Sequence, residues 1–323
     1  MPTVSIVIPV FNAEAMLSEL CGALAAELPD ISSDYEIVLV DDCSRDRSWE
    51  AIEALAKGDR RIRGIAFGRN FGQHNALLCG IRAARHEIVV TIDDDLQHPV
   101  AEIRVLLAKL AEGYDVVYGV PRVEQHGLFR NLASRMTKIA LQGTIGVENA
   151  RNVSAFRAFH SHLRGGFANF QSPSVSIDVL LSWATSRFAS VTVNHLPRAN
   201  GDSNYTLRML VSHAFNLITG FSALPLKLAS VAGFGLTVFG LLILAYVLVQ
   251  YFVNGSNVPG FAFLASVITI FSGTQMFVMG IFGEYLARIH FRTLNRPPYF
   301  VREATGVDSD LQRTPDNNSA SDS

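Results

Sequence analysis

Two long apolar stretches in the C-terminal half constrain the fold more than any other feature of the sequence. Residues 228–253 (LASVAGFGLTVFGLLILAYVLVQYFV) contain no charged side chain, and neither do residues 261–283. A helix over the first stretch would run about 39 Å at 1.5 Å per residue, against a bilayer hydrocarbon core of about 30 Å. The pattern predicts two transmembrane helices, about 228–253 and 261–285, within a membrane region of residues 228–287.

The charges around these stretches predict their orientation. Lys227 precedes the first stretch, and Arg288, Arg292 and Arg296 follow the second, whereas the turn NGSNVPG between them has no positive charge. Cytoplasmic loops carry an excess of Lys and Arg, so the turn is predicted to lie outside and the main domain in the cytoplasm. The sequence thus predicts a multi-pass protein of the inner (cytoplasmic) membrane with a cytoplasmic catalytic domain. Residues 288–302 are then a cytoplasmic segment. A buried helical hairpin in a soluble core is the alternative.

The segments that flank the membrane region differ in composition. Residues 204–227 are apolar with scattered polar side chains at helical spacing. They predict juxtamembrane amphipathic helices in the membrane interface, and a helix packed on the sheet is the alternative. Residues 303–323 are polar and lack aromatic side chains, which predicts a disordered tail.

Residues 1–203 alternate between apolar runs and helical patterns, which is typical of one α/β domain. Strands are predicted at 4–10, 35–40, 62–67, 87–92 and 115–118, with helices at 13–28, 47–57, 73–84 and 99–112. Strands that are apolar on both faces and separated by helices predict a mostly parallel sheet. The formal net charge of −2 argues against a nucleic-acid partner, because such proteins show a basic excess.

Acidic side chains cluster where two of the predicted strands end. In TIDDDLQHP, Asp93, Asp94 and Asp95 follow one strand, and in LVDDCSRD, Asp41 and Asp42 follow another. Ligands of open α/β sheets bind outside the carboxyl ends of the strands. Strand alternation would direct Asp93 and Asp95 the same way, with Asp94 opposed.

These clusters favour a site for a nucleoside diphosphate and its metal. Carboxylate oxygens with the neighbouring amide of Gln97 suit Mg²⁺ or Mn²⁺, which complete their coordination with water and substrate phosphates. The alternatives are a solvated acidic turn at 93–95 and helix capping at Asp41, Asp42 and Asp46.

Seven segments, in this order, resemble the polyprenyl-phosphate glycosyltransferases. They are SIVIPVFNAE, EIVLVDDCSRDRS, GRNFGQHNALLCGIRAA, TIDDDLQHP, VVYGVPR, NGDSNYTLRMLV and IFGEYLARIHFRTLNRPPYFV. These enzymes are membrane-anchored members of glycosyltransferase family 2, similar to dolichol-phosphate mannosyltransferase and the bacterial undecaprenyl-phosphate sugar transferases. The resemblance covers about residues 4–302.

The resemblance implies a fold, a reaction and partners. The fold is the nucleotide-binding glycosyltransferase A (Rossmann-like) domain, placed at residues 1–203. The reaction is inverting transfer of one sugar from a UDP- or GDP-sugar donor to a polyprenyl phosphate, with Mg²⁺ or Mn²⁺. The family's habit also implies a homo-oligomer.

The resemblance assigns roles residue by residue. Donor contacts fall on Pro9, Phe11, Asn12, Glu14, Asp41, Asp42, Asp93, Asp94, Arg122 and Arg208. Relatives often carry a glutamate at Ala13, so that contact is either missing or moved to Glu14. Relatives often carry a lysine at Asn204, and Arg208 or Arg198 would supply that cation instead. The metal ligands are Asp93, Asp95 and Gln97. The catalytic residues are Asp95, Arg122, which faces the donor phosphates, and Asp178.

The acceptor side departs from the family pattern. Asn152 and Ala155 stand in a segment where relatives often carry aspartates, so neither can act as a base. A phosphate monoester is largely dianionic at pH 7 and attacks without one. Cations must then bind the acceptor phosphate. The candidates are Arg130, Arg135, Lys138 and Arg157, and of these Arg130 and Arg157 are predicted to bind it. Asp178 contacts the acceptor or is a helix N-terminal charge.

Two other functions compete with this one. A family 2 enzyme that elongates a glycan would use a hydroxyl acceptor, but the sequence lacks the Q-x-x-R-W segment of processive synthases. A membrane scaffold with a decayed nucleotide site would explain Asn204 and the missing aspartates.

Overall fold

The structure is a computed structural model that describes residues 1–121, 153–172, 175–194, 196, 224–254, 260–294 and 296–306. The chain divides into two compact units. One comprises Met1–Thr206 together with Asn295–Ser323, and the other comprises Leu207–Leu294.

The first unit alternates strands and helices along the chain. Its strands are β1 (Thr3–Val10), β2 (Asp34–Asp41), β3 (Ile62–Phe67), β4 (Ile88–Thr91), β5 (Val116–Pro121), β6 (Arg157–His160), β7 (Phe188–Val193) and β8 (Val301–Thr305). Its helices are α1 (Glu14–Glu27), α2 (Ser48–Gly58), α3 (Gln73–Ala83), α4 (Ile103–Leu110) and α5 (Ile177–Ala184). Short 3-10 helices lie at Leu28–Asp30, Val100–Glu102 and Ser161–Phe167.

The strands of the described residues form one sheet in the order β7-β5-β6-β4-β1-β2-β3-β8. The central strands β4, β1, β2 and β3 are parallel, and β7 is parallel to β5. β6 is antiparallel to both β4 and β5, and β8 is antiparallel to β3. The parallel strands β3 and β4 are buried along their whole length, as expected for strands covered by helices on both faces.

Helix α1 shows how the sequence selects the core. Leu17, Leu20 and Leu24 recur every three or four residues, which places them on one face of the helix, and all three are 0% exposed. They belong to the same cluster as Ile6 and Ile8 of β1. This packing fixes β1 in the centre of the sheet and presents its carboxyl end beside those of β2 and β4.

The predicted mostly parallel α/β domain is confirmed, and the predicted strands and helices agree with the observed ones to within a few residues. Helix α4 begins at Ile103 instead of residue 99, because Pro99 is followed by the 3-10 turn Val100–Glu102. The sequence analysis missed β6, β7 and β8. β6 has only four residues, and only the first and last of the six residues of β7 are buried.

The polar tail contains a further correction. Residues 303–305 were predicted to be disordered, but they belong to β8, which pairs with the edge of β3. A hydrogen bond from Trp49 Nε1 to Glu303 Oε2, of 3.1 Å, adds to this pairing. Residues 307–323 lie outside the described residues.

The second unit contains two long helices, α6 (Leu224–Asn254) and α7 (Phe261–Thr293). They match the positions of the two charge-free stretches. Within the described residues, none of the helices is long and apolar enough to cross a membrane. The predicted transmembrane hairpin is therefore not seen. Most of the predicted juxtamembrane segment 204–227 lies outside the described residues.

Candidate active site

Three turns at the carboxyl ends of β1, β2 and β4 share an unusual backbone conformation. Asn12, Cys43 and Leu96 have φ angles of 55°, 60° and 56°. In the described part of the chain these are the only residues other than glycine with positive φ. Such residues cost about 1–3 kcal/mol each and gather at functional sites. The strain therefore marks this edge of the sheet as the candidate active site.

The turn after β1 is tied to the turn after β2. The Asn12 backbone N–H donates to Ser44 Oγ at 2.9 Å, and its side-chain Oδ1 accepts the Arg45 N–H at 2.8 Å. The Glu14 N–H donates to Asp46 Oδ2 at 3.2 Å, and Glu14 Oε2 accepts the Arg47 N–H at 3.3 Å. The predicted donor residues Asn12 and Glu14 thus lie together with the predicted acidic turn.

Two other predicted donor residues differ in exposure. Pro9 is buried within β1, where it pairs with Val40 of β2. The Phe11 side chain is 47% exposed, so its ring is accessible to a ligand at the strand ends.

Asp41 lies at the end of β2 and is 2% exposed. Its carboxylate accepts the Ser44 N–H at 3.2 Å. Burial raises the pKa of Asp41, against the opposing effects of Ser44 and of the positive charge of Arg302. A buried carboxylate at a strand end can accept a hydrogen bond from a ligand N–H group.

Asp42 holds the loop between β3 and α3. Its two carboxylate oxygens accept the backbone N–H groups of Phe71 and Gly72 at 2.6 and 2.8 Å, and its carbonyl accepts from Asn70 Nδ2 at 3.2 Å. Burial raises the pKa of Asp42 and outweighs these two N–H groups. These contacts give Asp42 a structural task in addition to the donor contact predicted for it.

The three aspartates after β4 have different partners. β4 ends at Thr91, so residues 93–95 form a turn. Asp93 Oδ1 accepts from Gln73 Nε2 at 2.6 Å, and Asp94 Oδ2 accepts the Phe11 N–H at 3.1 Å. Asp95 Oδ1 accepts the Gln97 N–H at 3.2 Å. Strand alternation does not continue through this turn, and Asp94 joins it to the end of β1.

The oxygen donors in this turn fit a hard divalent cation. Asp93, Asp95 and Gln97 lie within one tight turn and are all half-buried. Mg²⁺ is usually held by one or two carboxylates, with water and substrate phosphates as its other ligands. Over the residues that the structure describes, no group of three or more His, Cys, Asp or Glu side chains is arranged to hold a metal.

The predicted acceptor residues Arg157 and Asp178 are brought together. Arg157 Nη1 donates to Asp178 Oδ1 in a buried ion pair, and the Tyr118 hydroxyl donates to the same oxygen at 3.0 Å. Arg157 is 2% exposed and Asp178 is 5% exposed. Burial raises the pKa of Tyr118 well above its usual value, so the phenol stays a hydrogen-bond donor. Any acceptor contact by Arg157 must share its guanidinium with Asp178.

Several predicted residues lie outside the described residues. These are Arg122, Arg130 and Arg208, together with Arg135, Lys138, Arg198 and Asn204.

The sequence analysis did not single out Gln73, whose amide contacts Asp93. Gln73 lies in the segment GRNFGQHNALLCGIRAA, and its position at the start of α3 was the available signal.

Comparisons with known proteins agree with this geometry. The sequence profile of "Glycosyl transferase family 2" matches residues 5–165. The undecaprenyl-phosphate 4-deoxy-4-formamido-L-arabinose transferase of Shewanella sediminis is 36% identical over 93% of this chain and 92% of its own. The enzyme of that name from Pseudomonas aeruginosa (strain LESB58) is 35% identical over 96% of this chain and 94% of its own.

A solved structure supports the fold. Glucosyl-3-phosphoglycerate synthase from Mycobacterium tuberculosis, in complex with Mn²⁺, UDP and glucosyl-3-phosphoglycerate, has a TM-score of 0.51 and 21% identity. The match covers 68% of this chain and 78% of that protein. With relatives that match along nearly the whole chain and this shared fold, the chain belongs to glycosyltransferase family 2 and is a glycosyltransferase.

Proposed function

We propose that this glycosyltransferase transfers one sugar, with inversion, from a nucleoside-diphosphate sugar to a polyprenyl phosphate. The observation that carries the proposal is the similarity to undecaprenyl-phosphate transferases over 93% of this chain and 92% of the relative. Similarity of that extent includes the two charge-free stretches as well as the sheet. A shared acceptor accounts for similarity outside the sugar-donor domain.

The site geometry supports a nucleoside-diphosphate donor. Acidic turns after β2 and β4 are joined to the turn after β1 through Asn12 and through the bond between Asp94 and Phe11. At this edge Asp41 would bind the nucleobase, and the turn of residues 93–95 would lie at the diphosphate. The solved relative with the shared fold binds UDP and Mn²⁺, which favours a UDP donor over a GDP donor.

The chemistry requires positioning more than a base. An oxygen of the lipid phosphate forms the bond to the anomeric carbon while the bond to the donor β-phosphate breaks, and the nucleoside diphosphate leaves with the electron pair. A phosphate monoester is already largely dianionic at pH 7, so no side chain need remove a proton. When bound by Asp93 and Asp95, Mg²⁺ or Mn²⁺ would neutralise the charge that develops on the leaving diphosphate.

Attachment to the membrane is expected from the proposed acceptor, and the cytoplasmic face stays a prediction of the sequence. A polyprenyl chain stays in the bilayer, so the reacting phosphate lies at the interface. The helices α6 and α7 expose large apolar side chains, among them Phe234, Phe252, Met276 and Phe277, each at least 69% exposed. Exposed apolar patches of this kind mark membrane or partner contacts. The transmembrane topology and the homo-oligomer stay predictions of the sequence.

Product analysis tests the function. The full chain in undecaprenyl-phosphate vesicles is supplied with Mn²⁺ and a panel of labelled UDP- and GDP-sugars, including a donor of 4-deoxy-4-formamido-L-arabinose. The proposal expects one labelled lipid that mild acid cleaves to free sugar and undecaprenyl phosphate. A growing glycan would support the hydroxyl-acceptor alternative. Tight nucleotide binding with no product from any donor would support the decayed scaffold.

A further inference from the structure

The chain returns to the candidate active site after its two long helices. β8 is antiparallel to β3, with Val301 opposite Phe67 and Thr305 opposite Gly64. The Gly68 N–H donates to the Phe300 carbonyl at 3.1 Å, which extends the pairing beyond β3. Because the two strands run in opposite directions, the beginning of β8 lies at the carboxyl end of β3. That end faces the same edge as the acidic turns.

Aromatic contacts hold the beginning of β8 in place. Tyr299 stacks on Phe67 with ring centroids 5.4 Å apart and planes 7° apart. The Arg82 guanidinium carbon lies 5.8 Å from the centroid of the Tyr299 ring. Arg82 Nη2 donates to the Ala168 and Phe170 carbonyls at 2.9 and 2.8 Å. Residues next to Tyr299 in sequence are therefore in defined positions.

A β-bulge lies at Arg302. Val301 pairs with Phe67 and Glu303 pairs with Ala66, so Arg302 is the extra residue between them. Bulges redirect a side chain and are frequent next to active sites. The Arg302 side chain is 46% exposed, and its Nε donates to the neighbouring Glu303 Oε1 at 3.0 Å. That exposed pair leaves the guanidinium accessible to a ligand.

The bulge lies in the same row of the sheet as Asp41. Asp41 of β2 pairs with Ala66 of β3, which pairs with Glu303 of β8. Two strand spacings of about 4.8 Å separate such residues, a distance that a long arginine side chain can span. The positive charge of Arg302 acts on the Asp41 carboxylate and opposes the effect of burial on its pKa.

We propose that Arg302 binds the nucleobase of the sugar donor and forms a base-reading pair with Asp41. This inference rests on the proposed function. Uracil and guanine each present a ring N–H beside a carbonyl oxygen. A carboxylate can accept the hydrogen bond from that N–H group while an adjacent guanidinium donates to the carbonyl. The C-terminal strand thus completes a donor site whose other residues lie in the first half of the chain.

Nucleotide binding by Arg302→Ala tests the proposal. Binding to the full chain in detergent is measured by titration calorimetry with Mn²⁺ and three probes: UDP, GDP and pyrophosphate, which lacks a base. Arg61→Ala is the matched control, because Arg61 is 47% exposed and ion-paired with Asp59 but precedes β3 at the opposite end of that strand. The tryptophan fluorescence of the variants, which includes that of Trp49, reports whether β8 still pairs.

The expected result is a loss of about tenfold or more in affinity for the preferred nucleotide in Arg302→Ala, with pyrophosphate binding and the Arg61→Ala control unchanged. Nucleotide affinity within twofold of the wild type would overturn the inference and leave the proposed function intact. An equal loss for nucleotide and pyrophosphate would also overturn it, because the base would then not be the contact. A wild-type protein that binds none of the probes would contradict the proposed function itself.

Discussion

Arg157 and Asp178 form a buried ion pair that joins β6 to the first turn of α5. The Tyr118 hydroxyl of β5 donates to the same carboxylate oxygen at 3.0 Å. The sequence analysis placed both charged residues on the acceptor side, but it gave no reason to expect that they pair. Their mutual neutralisation explains how two charges can be almost fully buried in this part of the domain.

Removing one partner of this pair should destabilise the protein strongly. Asp178→Ala leaves the Arg157 guanidinium buried without its counter-ion, and such changes cost about 3–5 kcal/mol. The double substitution Arg157→Met with Asp178→Leu removes both charges and should cost less than the single one. Thermal unfolding of the full chain in detergent measures both. A melting temperature of Asp178→Ala equal to that of the wild type would contradict the pairing.

Glu36 should make stability depend on pH. It is 4% exposed. Burial raises its pKa, but hydrogen bonds from Ser5 Oγ, Arg63 Nη1 and the Arg85 N–H outweigh this and hold the pKa below the ordinary 4.5. A lowered pKa means that ionised Glu36 stabilises the fold above about pH 4.5. That contribution is lost as the pH falls through the folded-state value.

Glu36→Gln tests this assignment. At pH 7 the variant should be less stable by about 3–5 kcal/mol, since Arg63 loses its buried partner. The difference from the wild type should begin to shrink as the pH falls below about 4.5, because the unfolded wild-type chain then takes up a proton at Glu36, and it should vanish once the folded protein is protonated there at its lower pKa. Melting temperatures across that range give the result, with the exposed Glu112→Gln as control. A stability difference that grows on acidification would contradict a lowered folded-state pKa of Glu36.

Asp42 should be needed to hold the loop that begins α3. Asp42→Ala leaves the Phe71 and Gly72 N–H groups without their acceptor, at a cost of about 1–3 kcal/mol. Asp42→Asn keeps one carbonyl oxygen as acceptor and should lose less. Hydrogen exchange of the Phe71 and Gly72 amides checks this. Unchanged protection in Asp42→Ala would show that the loop is held by other contacts.

The acidic turn should contain one residue essential for turnover and one that is structural. We expect Asp95→Ala to lower turnover by about 100-fold or more, since it removes a proposed ligand of the metal that stabilises the leaving diphosphate. Asp94→Asn is the matched control, because an amide oxygen can still accept the Phe11 N–H. A chelator should abolish wild-type turnover, and Mn²⁺ should restore it. Full activity in Asp95→Ala would show that Asp95 is not a required metal ligand.

The central sheet was predictable from sequence because its strands are apolar on both faces. β1 to β4 are apolar runs separated by helical patterns, and nearly all of their residues are buried. β8 was not predictable, because its residues VREAT are mostly polar and its position depends on the exposed edge of β3. Such pairing is decided by distant parts of the chain.

The candidate site was only partly predictable for the same reason. The position of Asp41, Asp42 and Asp93–Asp95 at strand ends follows from local pattern, and the structure brings these turns to one edge. Individual partners, such as Phe11 for Asp94 or Gln73 for Asp93, depend on how separate turns meet in space. A sequence pattern therefore located the acidic turns without distinguishing a metal ligand from a structural carboxylate.

The most direct measurement is a crystal structure of the full chain soaked with UDP and Mn²⁺, with anomalous scattering recorded for manganese. We predict an anomalous peak for a manganese ion coordinated by an Asp95 oxygen and by the diphosphate, with the base beside Asp41. A structure with UDP bound but no manganese at the turn of residues 93–95, and with the Asp95 carboxylate directed to solvent, would contradict it.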